Sequence, residues 1–254
     1  MILVIDIGNT STNFGIFDES GNLAYSFKMA SDRKRSEDEY GLMLHYFISN
    51  SGLTGKIIGA IISSVVVTLT ERYQSAIEKY LNIKPKIVNH KINTGIKISL
   101  DKPEEIGADR IANGCAVLKN YKLPAIVVDF GTSTNFDVVN QNGEFIGGII
   151  TAGLKIQADA LYNFASKLPK VRIEAPKNTI GTNTIDAMLS GLVRGHAAMI
   201  DGLLKNCEKE LNQPASIVAT GGYANIVSNY MDRKFDAIDE NLTLKGLYEL
   251  YLLN

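Results

Sequence analysis

The chain has 254 residues, 45% of them apolar, and carries 26 basic and 27 acidic side chains for a net charge of −1. That length suits one large domain or two small ones with a real core. The near-neutral charge gives no electrostatic case for binding nucleic acid or an anionic membrane. Cys115 and Cys207 stand alone without metal-ligand spacing, no apolar run reaches membrane-spanning length, and MILVIDIG is too short for a signal segment, so a cytoplasmic protein with reduced thiols is expected.

In chain order, ILVIDIG and residues 14–17 predict paired strands, a turn at residues 19–22 and a third strand, LAYSFKM. The charged run SDRKRSEDE that follows reads as a solvated loop and helix start rather than a binding patch. Within it Ser36 and Glu39 have capping-box spacing, and Tyr40, Met43, Leu44 and Phe47 recur at helical intervals. AIISSVVV predicts a buried strand. Thr68 and Glu71 form a second candidate capping box, ahead of the apolar stripe Leu69, Tyr73, Ile77, Tyr80, and PKIVN predicts a short strand. Beyond it the pattern predicts a helix over residues 104–121, strands over 125–139 and 144–150, and helices over 153–167 and 184–211. The buried strand SIVATGG then ends in Gly221-Gly222, and Asn241 caps a last helix, LTLKGLYELYLL. Hairpins followed by alternating helices and strands, twice over, indicate two α/β lobes with mixed sheets, joined between residues 93 and 103.

The segment Thr-Ser-Thr-Asn-Phe occurs twice, at Thr10 to Phe14 and at Thr132 to Phe136. Each copy follows an apolar strand ending in Asp-x-Gly, with Asp6 and Gly8 in the first and Asp129 and Gly131 in the second. Self-similarity at a spacing of nearly half the chain suggests a duplicated fold. The glycine lets an anion approach main-chain N–H groups, the hydroxyls add donors for phosphate oxygens, and the Asp suits a hydrated Mg²⁺. The alternative is a pair of hairpin entries whose Ser and Thr satisfy turn backbone.

Two further stretches could carry chemistry. IGADRIANG places Asp109 and Arg110 at a helix start after Gly107-Ala108, where an Asp could equally be a first-turn residue answering the helix dipole. VATGGYAN exposes Gly221-Gly222 at a strand end, which permits close approach of an adenosine or is simply a turn.

Asp-x-Gly-Asn-Thr, GADR, DFGTST and TGG, in this order, closely resemble the motifs of the type III pantothenate kinases, members of the actin-like ATPase superfamily. IISSVV, KPEEIGADRIAN, FIGGIITAGL, IGTNTIDAMLSGLVRGHAAMIDGLL and LTLKGL look like family segments in family order, so the similarity covers nearly the whole chain. The resemblance implies duplicated ribonuclease-H-like lobes: residues 1–98 as the phosphate-binding lobe, and residues 99–254 with the substrate, cation and adenosine sites. It implies ATP-dependent phosphorylation of pantothenate to 4′-phosphopantothenate, the first step towards coenzyme A. On matching positions it implies ATP phosphates held by Asp6, Gly8, Asn9, Thr10, Ser11, Thr12 and Asn13, with Asp6 holding Mg²⁺ through water. It further implies pantothenate at Gly107, Ala108, Asp109, Arg110 and Thr184, with Asp109 as the base. Asp129 would bind a monovalent cation, K⁺ or NH₄⁺; Thr132, Gly221 and Gly222 would contact ATP; and a homodimer would complete each active site near the subunit interface.

The physics is compatible. Phosphoryl transfer depends mostly on alignment and charge neutralisation, so a base of ordinary acidity suffices, and a helix N-terminus should keep Asp109 ionised. Neither phosphate loop contains Lys or Arg, which argues for a metal-assisted site, and a monovalent cation would add positive charge where the chain offers little. Small residues at Gly191, Gly195, Ala197 and Ala198 could let two subunits approach, although internal packing explains them nearly as well. The chain departs from the family pattern at Leu100, where an aromatic is usual and pantothenate recognition should weaken, and at Asn135, Val67 and Ala152, where Thr, Pro and Pro are usual. A non-catalytic transcriptional accessory factor keeping the nucleotide fold, and a kinase for another small alcohol or sugar, are the alternatives. His45, His90 and His196 show no ligand spacing and read as structural or solvated.

Overall fold

The computed structural model describes residues 1–254. The chain folds as two compact units, residues 1–119 with 241–254, and residues 120–240.

The first unit is built on strands β1 (Ile2–Ile7), β2 (Ser11–Phe17), β3 (Leu23–Ala30), β4 (Gly59–Ser64) and β5 (Lys86–Ile87), in the order β3-β2-β1-β4-β5. β1 runs antiparallel to β2 and parallel to β4, so it lies mid-sheet. Its residues alternate between two cores, which explains an unbroken apolar run. Leu3, Ile5 and Ile7 pack with α1 (Glu37–Asn50) and α2 (Val67–Leu81) on one face. After the two-residue strand β6 (Lys97–Ile98) come α3 (Ala108–Asn120) and, at the chain's end, α8 (Leu242–Leu253), which cover the other face over Ile2 and Val4. α8 lies so close to α3 that a Cβ on Gly246 would collide with the Ala112 carbonyl. Thr243 Oγ1 donates to Asn113 Oδ1 at 2.8 Å.

The second unit repeats this plan with β7 (Ala125–Phe130), β8 (Ser133–Val139), β9 (Glu144–Ala152), β10 (Ser216–Gly221) and β11 (Ala237–Ile238), adjacent in the order β11-β10-β7-β8-β9. Ile126, Val128 and Phe130 pack against α4 (Leu154–Phe164), α6 (Gly195–Leu211) and α7 (Ala224–Ser228).

The duplication extends to detail. Asp6 pairs with Asn13 across the first hairpin and Asp129 with Asn135 across the second. The next pairings, β2 with β3 and β8 with β9, carry a bulge at the same place, between Ile16 and Phe17 and between Val138 and Val139. Both then make the same turn. Asp18 Oδ1 accepts from Ser20 N and Asn22 N at 2.9 Å, while Asn140 Oδ1 accepts from Asn142 N at 2.9 Å and Glu144 N at 3.0 Å. Gly21 and Gly143 supply positive φ of 82° and 73°. The one difference in length is Asn9, an extra residue in the first loop.

Several expectations shift. The units do not divide at residue 98: α3 and α8 join the first unit, because only they cover the second face of its sheet. The Ser36–Glu39 capping box forms, with both reciprocal bonds present. The Thr68–Glu71 box does not. Ser64 Oγ accepts from Val66 N at 3.0 Å and turns the chain early, so α2 starts at Val67 and Thr68 lies inside it. The helix expected from residue 104 is a single 3-10 turn, Pro103–Glu105, followed by α3 from Ala108. The helix expected over 184–211 is α5 (Thr184–Leu189), a π-turn at Ser190–Arg194, and α6. Asn241 holds the N-cap position of α8 without a side-chain cap bond. Both cysteines are free; Cys115 is buried with its thiol pushed up to about 11, whereas Cys207 is only half-buried.

Candidate functional site

In the first unit the candidate site forms at the end of β1. Asp6 lies between two strand neighbours. Ser63 Oγ donates to its Oδ1 at 3.1 Å and Asn13 Nδ2 to its Oδ2 at 3.4 Å. The carboxyl keeps some solvent contact yet is enclosed on most sides. Burial, then the charge of Asp109, push its pKa to about 7, against the lowering effects of Ser63, Asn13 and Lys28. Asp109 is thus close enough to Asp6 for the two carboxylates to repel.

Asp109 is the second residue of α3. A side chain on Gly107 would collide with Asp109 Oδ1, so the glycine is what lets the carboxylate fold back over the helix start. That oxygen accepts from Arg110 N at 2.9 Å. Burial nevertheless raises the Asp109 pKa, outweighing that bond and the Arg110 charge. The expected ordinary acidity is therefore corrected: desolvation exceeds what a helix start supplies.

The loop from Gly8 to Asn13 is tight. Gly8 N donates to Ser11 O at 3.0 Å, and a Cβ on Gly8 would sit only 3.0 Å from that oxygen. Asn9 and Thr10 are exposed and Ser11 half-buried, so three loop residues face solvent. Thr12 is fully buried and its hydroxyl is engaged with Ser31 Oγ at 3.0 Å. The sequence reading missed Ser63, signalled only by the Ser-Ser that ends β4. It also missed Arg33, whose Nη2 donates to Asn9 Oδ1 at 3.1 Å.

In the second unit Asp129 occupies the place of Asp6, and Thr220 that of Ser63. Asn135 Oδ1 is buried without a hydrogen-bond partner. Thr134, the counterpart of Thr12, is 3.0 Å from His196 Nε2, and His196 Nδ1 is 3.0 Å from Gln157 Nε2. Gln157 Nε2 also donates to Ala152 O at 2.7 Å. An amide can only donate to Nδ1, so the ring proton sits on Nε2 and points at Thr134. Burial lowers the His196 pKa to about 4, in keeping with a neutral structural residue. The loop itself is pressed from two sides. A Cβ on Gly153 would strike the Thr132 and Gly131 carbonyls, and one on Gly221, at φ 89°, would strike the Phe130 backbone. Gly222 is exposed beside it. Thr184 is exposed as the first residue of α5, whose N-cap Asn183 accepts from Asp186 N at 2.9 Å. Between α4 and the π-turn an apolar cavity of about 600 Å³ is lined by Gln157, Leu161, Phe164, Met188 and Leu192.

The family model of the type III pantothenate kinases matches residues 2–206. Over 255 aligned positions the chain is 41% identical to a type III pantothenate kinase of Bacillus cytotoxicus, covering all of this chain and 97% of that one. Among solved structures it is similar to a Campylobacter jejuni protein assigned to the Baf family of transcriptional activators, with TM-score 0.60 and 19% identity over 98% of this chain and 97% of that one. It is also similar to a ROK family glucokinase of Streptomyces griseus in complex with glucose and AMPPNP, with TM-score 0.53 and 13% identity over 99% of each chain. These two likenesses bear on the fold alone, and the fold is that expected: duplicated α/β lobes of the actin-like ATPase type with mixed sheets flanked by helices. With the Asp6 and Asp109 carboxylates brought together, the matching hairpins in place and the family model spanning most of its length, the chain belongs to the type III pantothenate kinase family.

Proposed function

We propose that the chain performs its family's reaction, transfer of the γ-phosphoryl group of ATP to the primary hydroxyl of pantothenate, through the residues gathered at the end of β1. The observation that carries this reading is the proximity of Asp6 and Asp109 within one unit, one carboxylate raising the pKa of the other. Asp109 accepts the hydroxyl proton as the oxygen attacks the γ-phosphorus and the bond to the β-phosphate oxygen breaks, releasing ADP. Its raised pKa makes it a better proton acceptor than a solvated Asp. Asn9 to Ser11 present loop N–H and hydroxyl groups to the phosphates, with Gly8 closing the turn beneath them. Gly107, Ala108, Arg110 and Thr184 take pantothenate, while Thr132, Gly221 and Gly222 serve the nucleotide.

The donor set fits a hydrated divalent ion. Asp6 is an enclosed carboxylate with only the Asp109 carboxylate near it, and no three His, Cys, Asp or Glu side chains gather as a cage. Mg²⁺, when bound with ATP, supplies charge neutralisation there, and Asp6 would hold it through water. A monovalent cation, K⁺ or NH₄⁺, at Asp129 is supported by the unpaired Asn135 oxygen, its register neighbour across the second hairpin. The departure from Thr at Asn135 thus keeps an oxygen acceptor beside the proposed cation.

A homodimer is supported by apolar side chains left in solvent on the second unit, among them Phe164 at 91% and Ile180 at 82% exposure. Gly191, Gly195, Ala198 and Gly202 make an exposed small-residue stripe, whereas Ala197 is a core residue. No helix is long and apolar enough to cross a membrane, which is compatible with a cytoplasmic enzyme. The test is direct. Purified protein with ATP, Mg²⁺ and K⁺ should convert pantothenate to 4′-phosphopantothenate; turnover of a sugar but not of pantothenate would overturn the substrate assignment.

A further inference from the structure

The charged run after β3 is exposed over much of its length, as its composition suggests, yet it is tied down at several points. Ser31 N donates to Thr10 O at 3.1 Å, and Ser31 Oγ lies 3.0 Å from Thr12 Oγ1, so the run begins fastened to the phosphate loop. Asp32 O accepts from the Tyr40 hydroxyl at 2.6 Å, and Asp32 Oδ1 from Lys34 N at 2.9 Å. From α2, Arg72 Nη1 donates to Arg33 O and, at 2.7 Å, to Arg35 O. The segment is a strap, and what it delivers is the Arg33 guanidinium, exposed to solvent and touching the phosphate loop at Asn9 Oδ1.

Asn9 is the one residue by which the first loop exceeds the second, and Arg33 holds it. The first loop has no Lys or Arg of its own, and Asp6 and Asp109 add negative charge where a triphosphate would bring more. A guanidinium has five N–H donors in a planar fork that matches phosphate oxygens, and one donor is spent on Asn9. We propose that Arg33 is a cation that the strap, held to the first loop at Asn9, presents to the terminal phosphates of ATP, and that Arg72 is a positioning residue that fixes that strap. The inference rests on ATP being the phosphoryl donor, as argued above, and specifies what neutralises it.

The experiment is calorimetric titration of the full-length protein with Mg·ATP and, separately, with AMP, without pantothenate. Arg33→Gln should weaken Mg·ATP binding tenfold or more and leave AMP within twofold, because a charge-assisted contact to the outer phosphates is lost. Arg33→Lys, which keeps the charge and loses the fork, should fall between. Lys34→Gln, next along the strap with its side chain in solvent, should match wild type; an equal loss there would overturn the specific contact in favour of a general field. Arg72→Met should weaken Mg·ATP in the wild-type background and have no further effect on Arg33→Gln, since a purely structural role would persist in both. Unchanged Mg·ATP affinity in a folded Arg33→Gln protein would overturn the proposal and leave the kinase reading standing. Failure of the wild type to bind Mg·ATP would overturn both.

Discussion

The two hairpins share register, bulge and closing turn, yet they place different chemistry at the same backbone positions. In the first, the strand-end carboxylate is bonded to Ser63 and Asn13, has a pKa near 7, and has the longer loop with Arg33 on it. In the second, the corresponding loop is pressed by Gly153 and Gly221, and its buried threonine meets a neutral His196 instead of Ser31. Backbone hydrogen bonding fixed the scaffold twice. The side chains brought to it from outside each hairpin, from β4, α3 and the strap in one case and from α4 and α6 in the other, differentiated the copies.

Breaking the carboxylates should separate the copies most sharply. Asp109→Asn should lower kcat on the order of 10²–10⁴-fold with the fold intact, read by steady-state kinetics and circular dichroism, since a general base contributes about that much. Asp129→Asn should instead cost about 10²-fold at saturating K⁺ and abolish the response to added K⁺, a signature Asp109→Asn should not show.

pH should sharpen the contrast, because the two copies respond with opposite signs. Asp6 has a raised folded-state pKa, so its contribution to stability is fully present below about pH 4 and is lost as pH rises through about 7. Asp6→Asn should therefore stabilise the ligand-free protein at pH 8 by on the order of 2–4 kcal/mol while removing activity. His196 has a depressed pKa, so its contribution is present above about 6.5 and is lost as pH falls towards 4. His196→Phe should flatten that acid limb and cost about 1–3 kcal/mol at pH 7, since Thr134 and Gln157 lose a buried partner. Urea unfolding at pH 5, 7 and 8 reads both; parallel pH profiles for the two variants would refute the contrast.

The smallest effect concerns Val67, the first residue of α2, at 75% exposure. Proline fits that position because its N–H has no helical partner and its φ is already set. Val67→Pro should raise stability by about 0.4–1 kcal/mol in the first unit, read as a shift in the urea midpoint.

Much of this was legible in the chain. The apolar runs named the strands because β1 and β7 are buried on both sides, and the repeated pentapeptide named the duplication because identical turn chemistry builds identical loops. The Ser36–Glu39 box was legible because it is closed within four residues. What failed was non-local. Thr68 has capping spacing, but a turn set by Ser64 starts α2 before it. SDRKRSEDE is exposed as its composition suggests, but composition did not show that Arg72, from a helix far along the chain, clamps it. Asp109 was expected to be an ordinary acid because helix position can be read from sequence, whereas enclosure cannot.

The sequence by itself determined most of the element types and the twin hairpins, because periodicity, glycine placement and short-range capping act over a few residues. Only the tertiary structure decided that α3 and α8 complete the first unit, that Asp109 adds to the cost of ionising Asp6, and that Arg33 reaches Asn9. Each of these depends on what packs against a residue from elsewhere in the chain, and desolvation and charge proximity are properties of that packing.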